Sequence, residues 1–161
     1  RKRGDIERAY RIAVNSPVQG GASDVAQDAI IRIHHRIRLL QLKSRLWNFT
    51  HDSVGSDIFP RPHELFTMAD VHYKEMVLRP PLIWDWMYVP LEIDYEIGVT
   101  WGHLVNASFD QANRSVVLAG QKDRTIPLIK MMSRWDGYKG VTSIEPVFDK
   151  GLVVPRARIQ F

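Results

Sequence analysis

The sequence predicts an α+β protein in which helices pack against antiparallel strands. Residues 18–40 carry apolar side chains at steps of three and four, which is helical spacing. Residues 46–50 and 54–58 have the composition of two short strands around a polar triplet. Residues 91–97 alternate apolar and acidic side chains, as a half-buried antiparallel strand does. The predicted order is therefore helix, hairpin, helix and strand.

The first helical region divides at a proline. Residues 4–14 have helical spacing, and a second helix is expected to begin after them. Ser16 is placed as the N-cap of this second helix, Pro17 as its first residue and Gln19 as the partner in a capping box. Gln19 therefore has a structural explanation as well as any functional one.

A third helix is expected to open at Pro60 to Pro62 and to run to about Val77, with His72 at the edge of the core. Residues 82–90 are densely apolar and are expected to form a packed connection. The last part, 104–161, is interpreted as a β-rich extension. Its strand-like segments, separated by Gly and Asp turns, are 115–119, 125–132, 141–148 and 152–161.

Composition limits the classes of protein to consider. With 161 residues, 45% of them hydrophobic, the chain can bury one core, or one domain with a smaller appendage. It has no cysteine, which excludes a disulfide framework and favours an intracellular setting. No apolar run reaches the length of a membrane span, so no membrane partner is expected. The chain starts at Arg1 within a charged helical pattern, which we interpret as a fragment, a processed product or one part of a split protein.

The net charge of +4 conceals three regions of different sign. Residues 1–45 contain ten Lys or Arg against four acids, residues 46–103 three against nine, and residues 104–161 nine against five. Two solvated faces that cancel would explain this. A basic element for phosphates beside carboxylates for a divalent metal would explain it too, and that combination is what an enzyme acting on nucleic acid needs. The basic last region suits contact with a DNA backbone or an acidic partner, or is simply a charged surface.

Two groups of acids are candidates for metal chemistry. The triplet His51-Asp52-Ser53 lies between the two predicted hairpin strands, where a carboxylate can face solvent and a metal ion. Asp and Ser also favour turns for purely local reasons. Residues 92, 94 and 96 are acids on one face of the predicted strand, where a solvated sheet face is the simpler interpretation.

Taken in order, these residues resemble the C-terminal palm of a family A (Pol I-like) DNA polymerase, over roughly residues 4–103. The motifs that carry the resemblance are Glu7-Arg8-Ala9, Arg11, Asn15–Gly20, His51-Asp52, Asp94–Gly98 and Trp101. The resemblance implies a polymerase palm subdomain, an antiparallel sheet with a motif C hairpin packed by helices, in residues 1–103. The extension 104–161 matches no family that we recognise.

The resemblance also implies roles for individual residues. Asp52 resembles the motif C aspartate, one of two that hold a pair of Mg²⁺ ions for nucleotidyl transfer to a primer from an incoming dNTP. His51 would support and orient the terminal phosphate of the primer. Arg11 and Gln19 resemble residues that reach the minor groove of the primer-template DNA, with Asn15 near the template side. Donors there test base-pair geometry without reading sequence.

Departures from the family pattern limit these implications. Ser53 stands where such enzymes often have glutamate, and His-Asp-Ser also occurs in single-subunit RNA polymerases, which share the palm. The second aspartate, in motif A, and the fingers and thumb match no part of the chain, so a second polymerase chain or a longer chain is expected to carry them. A noncatalytic module that keeps the palm shape and binds nucleic acid or protein remains an alternative. The resemblance leads us to expect the cytoplasm or nucleoid, or a viral origin.

Overall fold

The computed structural model describes the backbone of residues 3–50, 53–149 and 152–161, and side chains within 4–50, 53–146 and 156–161. The chain is α+β with antiparallel sheets, as the sequence predicts. Helices and strands alternate in an order that places one helix pair and a hairpin beside a larger sheet.

The first helix, α1, runs without interruption over Arg3–Leu39. The predicted break at Pro17 is therefore wrong. Ser16 does not cap a new helix, because its hydroxyl donates to the carbonyl of Ile12 at 2.9 Å. A proline inside a helix removes its own hydrogen bond to the carbonyl four residues earlier and crowds that carbonyl, but the other bonds of a 37-residue helix can keep it continuous.

A two-stranded antiparallel hairpin follows, formed by β1 (Arg45–Thr50) and β2 (Ser53–Asp57). The two strands were predicted, and Thr50 pairs with Ser53 at the end of the ladder. The register shifts once between Leu46 and Asn48, as a bulge would do.

The next helix, α2, covers Pro62–Tyr73 and continues as a π-helical turn over Lys74–Leu78, close to the predicted range. A short helix, α3, follows at Pro80–Ile83. Proline at the start of α2 costs no hydrogen bond, because the first N–H groups of a helix have no partner within it.

The larger sheet has five antiparallel strands in the order β3-β4-β5-β7-β6. They are β3 (Tyr95–Gly98), β4 (Leu104–Asp110), β5 (Ser115–Ala119), β6 (Gly140–Asp149) and β7 (Leu152–Gln160). Strands at 115–119, 141–148 and 152–161 were predicted correctly. β3 is shorter than the predicted 91–97, and β4 was not predicted.

The fourth helix, α4, covers Lys122–Met132, so the predicted strand at 125–132 is wrong. Its buried residues are Thr125, Leu128 and Met132, at helical steps of three and four. β-branched residues at 125 and 126 suggested a strand, but the spacing of the buried positions is that of a helix.

One face of the large sheet forms the main core. Val105, Val116 and Ile159 on that face pack with Leu65 and Phe66 of α2, and the buried cluster also includes Leu118, Leu128, Met132, Trp135 and Phe161. Tyr95 links the same two layers, because its hydroxyl donates to the carbonyl of Ala69 at 2.7 Å. Burial, together with the charges of Asp70 and Tyr73, raises the pKa of Tyr95 to about 12.

The C-terminal half of α1 packs on α2 through a second, smaller cluster of Ile33, Ile37, Met68 and Val71. The main core and the sheet both extend across residue 103, where the sequence was divided into two regions. Within the described ranges, no helix is both long enough and apolar enough to cross a membrane.

Candidate nucleic-acid interface

Arg11, Asn15 and Gln19 form a row along one side of α1. Their spacing of four residues aligns them in a continuous helix, and all three are exposed. They line a shallow depression together with Arg8, Ile12 and Ser16. The row spans two helical turns, about 12 Å. Its side chains are mainly hydrogen-bond donors that face solvent.

The described part of the hairpin ends on either side of the proposed metal-binding residue. Thr50 and Ser53 pair across the ladder, but His51 and Asp52 lie outside the described residues. Their assigned roles, and the metal position at Asp52, therefore stay predictions.

Aromatic packing holds the hairpin against the turn that follows β3. The ring of Trp47 meets the ring of Trp101 edge to face, with 5.3 Å between centroids. Gly55 lies under Trp47, because a Cβ atom at Gly55 would lie 3.0 Å from Nε1 of that tryptophan. A larger residue at 55 would push the indole away, so this contact depends on glycine.

A cleft of about 2330 Å³ lies between the middle of α1, the hairpin and the segment 84–101. Gln19 and Ser53 both line it, which brings one end of the α1 row and one end of the hairpin to the same opening. All five tryptophans line it as well: Trp47, Trp84, Trp86, Trp101 and Trp135. The described side chains of the lining include carboxylates but no lysine or arginine, the carboxylates being Asp24, Asp57, Glu92, Asp94 and Glu96.

His72 forms part of the cleft wall and joins α2 to the hairpin. Its Nδ1 atom lies 2.7 Å from the carbonyl of Met68, and its Nε2 atom lies 3.1 Å from the hydroxyl of Ser56. A carbonyl only accepts, so Nδ1 carries the proton and Nε2 accepts from Ser56. Burial lowers the pKa of His72 below its ordinary value, against the opposing effect of the Met68 hydrogen bond. The predicted core-edge position is confirmed.

A buried ion-pair network fixes the direction of α1 relative to α2, and sequence reasoning missed it. Glu75 is almost fully buried, and its two carboxylate oxygens lie 3.0 Å from Nε of Arg32 and 3.1 Å from Nε of Arg36. Arg32 also donates to the main-chain carbonyl of Glu75 at 2.9 Å. The only signal in the sequence is a pair of arginines one turn apart, on a helix whose partner carries an acid.

The three acids Glu92, Asp94 and Glu96 are all exposed, while Leu91, Ile93 and Tyr95 between them are partly buried. The alternation in the sequence thus places the acids on a solvated side. In the described part of the chain, no three side chains of the metal-ligating kinds come close enough to hold an ion together.

Comparisons with known proteins find a family match in the first part of the chain. The profile of "DNA polymerase family A" matches residues 1–103. DNA polymerase I of Bacillus subtilis (strain 168) is 34% identical over 93 residues, covering 58% of this chain and 10% of that protein. DNA polymerase I of Geobacillus stearothermophilus is 33% identical over 98 residues, covering 58% of this chain and 10% of that protein.

The similarity extends to a plant protein. DNA polymerase I A, chloroplastic, of Oryza sativa subsp. japonica is 34% identical over 100 residues, covering 62% of this chain and 9% of that protein. The chain thus spans about a tenth of the length of these curated relatives. No solved structure gives a significant match. Because the family profile covers well over half of its residues, the chain belongs to DNA polymerase family A.

Proposed function

We propose that this chain is the C-terminal part of a DNA-directed DNA polymerase that acts in DNA replication. Its contribution would be one side of the site for template-directed nucleotidyl transfer. The observation that carries the proposal is the family match over residues 1–103, in which Gln19 at one end of the α1 row and Ser53 of the hairpin line one cleft. We keep residues 104–161 as a basic extension outside the family match.

The proposed roles follow from the chemistry of the side chains. Arg11 and Gln19 would donate to the N3 and O2 acceptors that every base pair presents in the minor groove, and Asn15 would lie near the template strand. A rigid helix suits this task, because the row must hold its spacing while the DNA moves past. His51 would orient the terminal phosphate of the primer and not act as a base.

Asp52 is the proposed ligand for Mg²⁺. A carboxylate is the side chain that Mg²⁺ prefers, and one or two carboxylates with substrate phosphates and water are a usual ligand set. When bound, a pair of such ions would activate the primer hydroxyl and neutralise charge on the triphosphate. Ser53 in place of glutamate removes one carboxylate, but catalysis should stay possible because the paired aspartates are the principal ligands.

Other parts of the enzyme must come from elsewhere. The second aspartate, in motif A, together with the fingers and thumb, would be carried by a second polymerase chain or another segment of a longer one. Primer-template DNA and dNTP are the proposed substrates, and the proposed location is intracellular.

Primer extension tests the proposal directly. The chain is combined with the polymerase segment that carries motif A, fingers and thumb, and extension of a labelled primer is measured with Mg²⁺ and dNTPs. Asp52→Ala should reduce the rate by about two orders of magnitude or more, because a metal ligand contributes several kcal/mol to transition-state stabilisation. Asp57→Ala is the matched control, since it removes an exposed carboxylate of the same hairpin, paired with Arg45 at 3.2 Å.

Three results would count against the proposal. Undiminished extension by Asp52→Ala would remove the metal-ligand assignment. If the combined wild-type protein binds primer-template DNA but extends the primer with neither dNTPs nor rNTPs, the chain is a noncatalytic binding module and not part of a polymerase. Extension with rNTPs in preference to dNTPs would instead identify an RNA polymerase, the alternative that His-Asp-Ser leaves open.

A further inference from the structure

The extension beyond the family match carries a line of cations on α4. Lys122 and Lys130 lie eight residues apart on this helix, and Arg134 follows four residues later in the turn closed by its N–H bond to the carbonyl of Met131, at 3.1 Å. All three side chains are exposed. Ile126, midway between the two lysines, is 59% exposed. We call Lys122, Lys130 and Arg134 the α4 cations.

Local interactions do not explain these charges. No acid occupies a position three or four residues from Lys122 or Lys130, and none of the α4 cations forms an ion pair with a described residue. Lys130 and Arg134 are like charges at a spacing where they repel. Lys122 is the first residue of the helix, where the helix dipole disfavours a cation. A bound polyanion would stabilise all three.

The position of α4 connects it to the cleft. Met131 and Trp135, from the end of α4 and the residues after it, line the cleft that Gln19 and Ser53 also line. The described lining of the cleft contains carboxylates but no lysine or arginine. The phosphates of a nucleic acid in this cleft would therefore pair with cations that lie outside the lining. Arg8 and Arg11 of α1 offer one such group, and α4 offers the other.

We propose that the α4 cations bind the phosphate backbone of DNA without sequence preference, as a contact that the extension adds to the family A region. The partner is a nucleic acid because Lys130 and Arg134 directly precede Met131 and Trp135, which line the cleft of the molecule that would hold primer-template DNA. The inference rests on the proposed function for its choice of DNA, but the contact is separate from Asp52 and from the α1 row.

Fluorescence anisotropy with a labelled primer-template duplex tests this contact in the full chain. In the triple variant Lys122→Gln, Lys130→Gln and Arg134→Gln, the slope of log K against log salt should fall in magnitude by about 2 to 3, at roughly 0.9 for each phosphate that no longer meets a cation. The matched control is Arg114→Gln, Lys139→Gln and Arg156→Gln. It removes the same charge at three exposed positions. Arg114 lies in the turn before β5, Lys139 directly before β6, and Arg156 in β7.

Three outcomes separate the interpretations. A weaker salt dependence confined to the α4 variant, with thermal unfolding like that of the wild type, supports the contact. Equal changes in both triple variants show an effect of net charge and overturn it. Binding of polyglutamate, but not of duplex, through the α4 cations identifies an acidic protein as the partner and also overturns it.

Failure of this inference is distinguishable from failure of the proposed function. Asp52→Ala should lose primer extension but keep the wild-type salt slope. The α4 variant should keep extension at low salt and lose it at a lower salt concentration than the wild type. If the α4 variant retains the wild-type salt slope, the α4 cations do not contact DNA, whatever the extension assay gives.

Discussion

At the scale of single residues, two buried glutamates hold neighbouring segments together through different partners. Glu64 on α2 accepts hydrogen bonds from the N–H of Lys43, the N–H of Ser44 and the hydroxyl of Ser44, at 3.0, 3.1 and 2.8 Å. Glu75 is instead paired with Arg32 and Arg36 of α1. Glu64 thus fixes the segment that leads into the hairpin, and Glu75 fixes α1 beside the helix that carries Glu75.

Glu64→Gln should destabilise the protein by about 1–3 kcal/mol, because an amide nitrogen replaces one of the oxygens that buried donors need. Burial by itself would raise the pKa of Glu64, but the hydrogen bonds from Lys43 and Ser44 lower it below its ordinary value. The folded state therefore binds fewer protons than the unfolded state. The contribution of Glu64 to the free energy of unfolding is complete above the pKa of this carboxyl in the unfolded chain, about 4.3. It is lost as the pH falls through the lower pKa of the folded state.

Urea unfolding at a series of pH values measures this contribution. The difference in free energy of unfolding between wild type and Glu64→Gln should be constant near neutral pH and shrink in acid. The exposed Glu92→Gln is the control, with a small difference at every pH. A difference for Glu64→Gln that does not change between pH 7 and pH 3 would contradict this account of the carboxylate.

At the scale of elements, local signals identified most helices and strands, but they placed a helix start at Pro17, made β3 too long, missed β4 and mistook α4 for a strand. Ser16, Pro17 and Gln19 have the chemistry of a helix start, yet α1 passes through them. Residues 125–132 contain β-branched side chains but bury a helical face against the sheet. At 125–132 packing against the sheet favours the helix, whereas around Pro17 the side chains are exposed and the other backbone hydrogen bonds of α1 keep it continuous.

Pro17→Ala should strengthen the exposed N-terminal half of α1. An alanine N–H can donate to the carbonyl of Ala13, and removing an interior proline can favour a helix by up to about 3 kcal/mol. Hydrogen exchange of the amides around residues 13–21 measures the change, which should appear as slower exchange. Val14→Ala is the control, since it alters an exposed residue of the same turn without adding a donor. Equally fast exchange in Pro17→Ala and wild type would show that Pro17 does not limit the helix here.

At the scale of the whole molecule, the extension completes the core that the family region begins. Eight of the ten residues in the main buried cluster follow residue 103, while Leu65 and Phe66 of α2 supply the other two. β3, within the family match, pairs with β4 beyond it. The large sheet and its core therefore depend on both regions.

A fragment of residues 1–103 should lose cooperative unfolding, because α2 would expose the apolar face that the sheet now covers. Circular dichroism during thermal unfolding and binding of an apolar dye measure this loss. A chain that lacks residues 1–16 is the matched truncation. It should melt close to the wild type, because residues 4–16 are all exposed. A cooperative transition of the 1–103 fragment near the wild-type midpoint would show that the family region folds without the extension.

The sequence by itself determined the family and the α+β class, because these depend on residue order and on the local spacing of apolar residues. It also placed Arg11, Asn15 and Gln19 four residues apart, but they share a side because α1 is continuous, which the predicted break at Pro17 did not allow. Only the tertiary structure decided that 122–132 is a helix and that Glu75 meets two arginines. Those outcomes depend on contacts between residues far apart in the chain, such as Arg32 with Glu75 and Leu65 with the sheet, whose energies no short window contains.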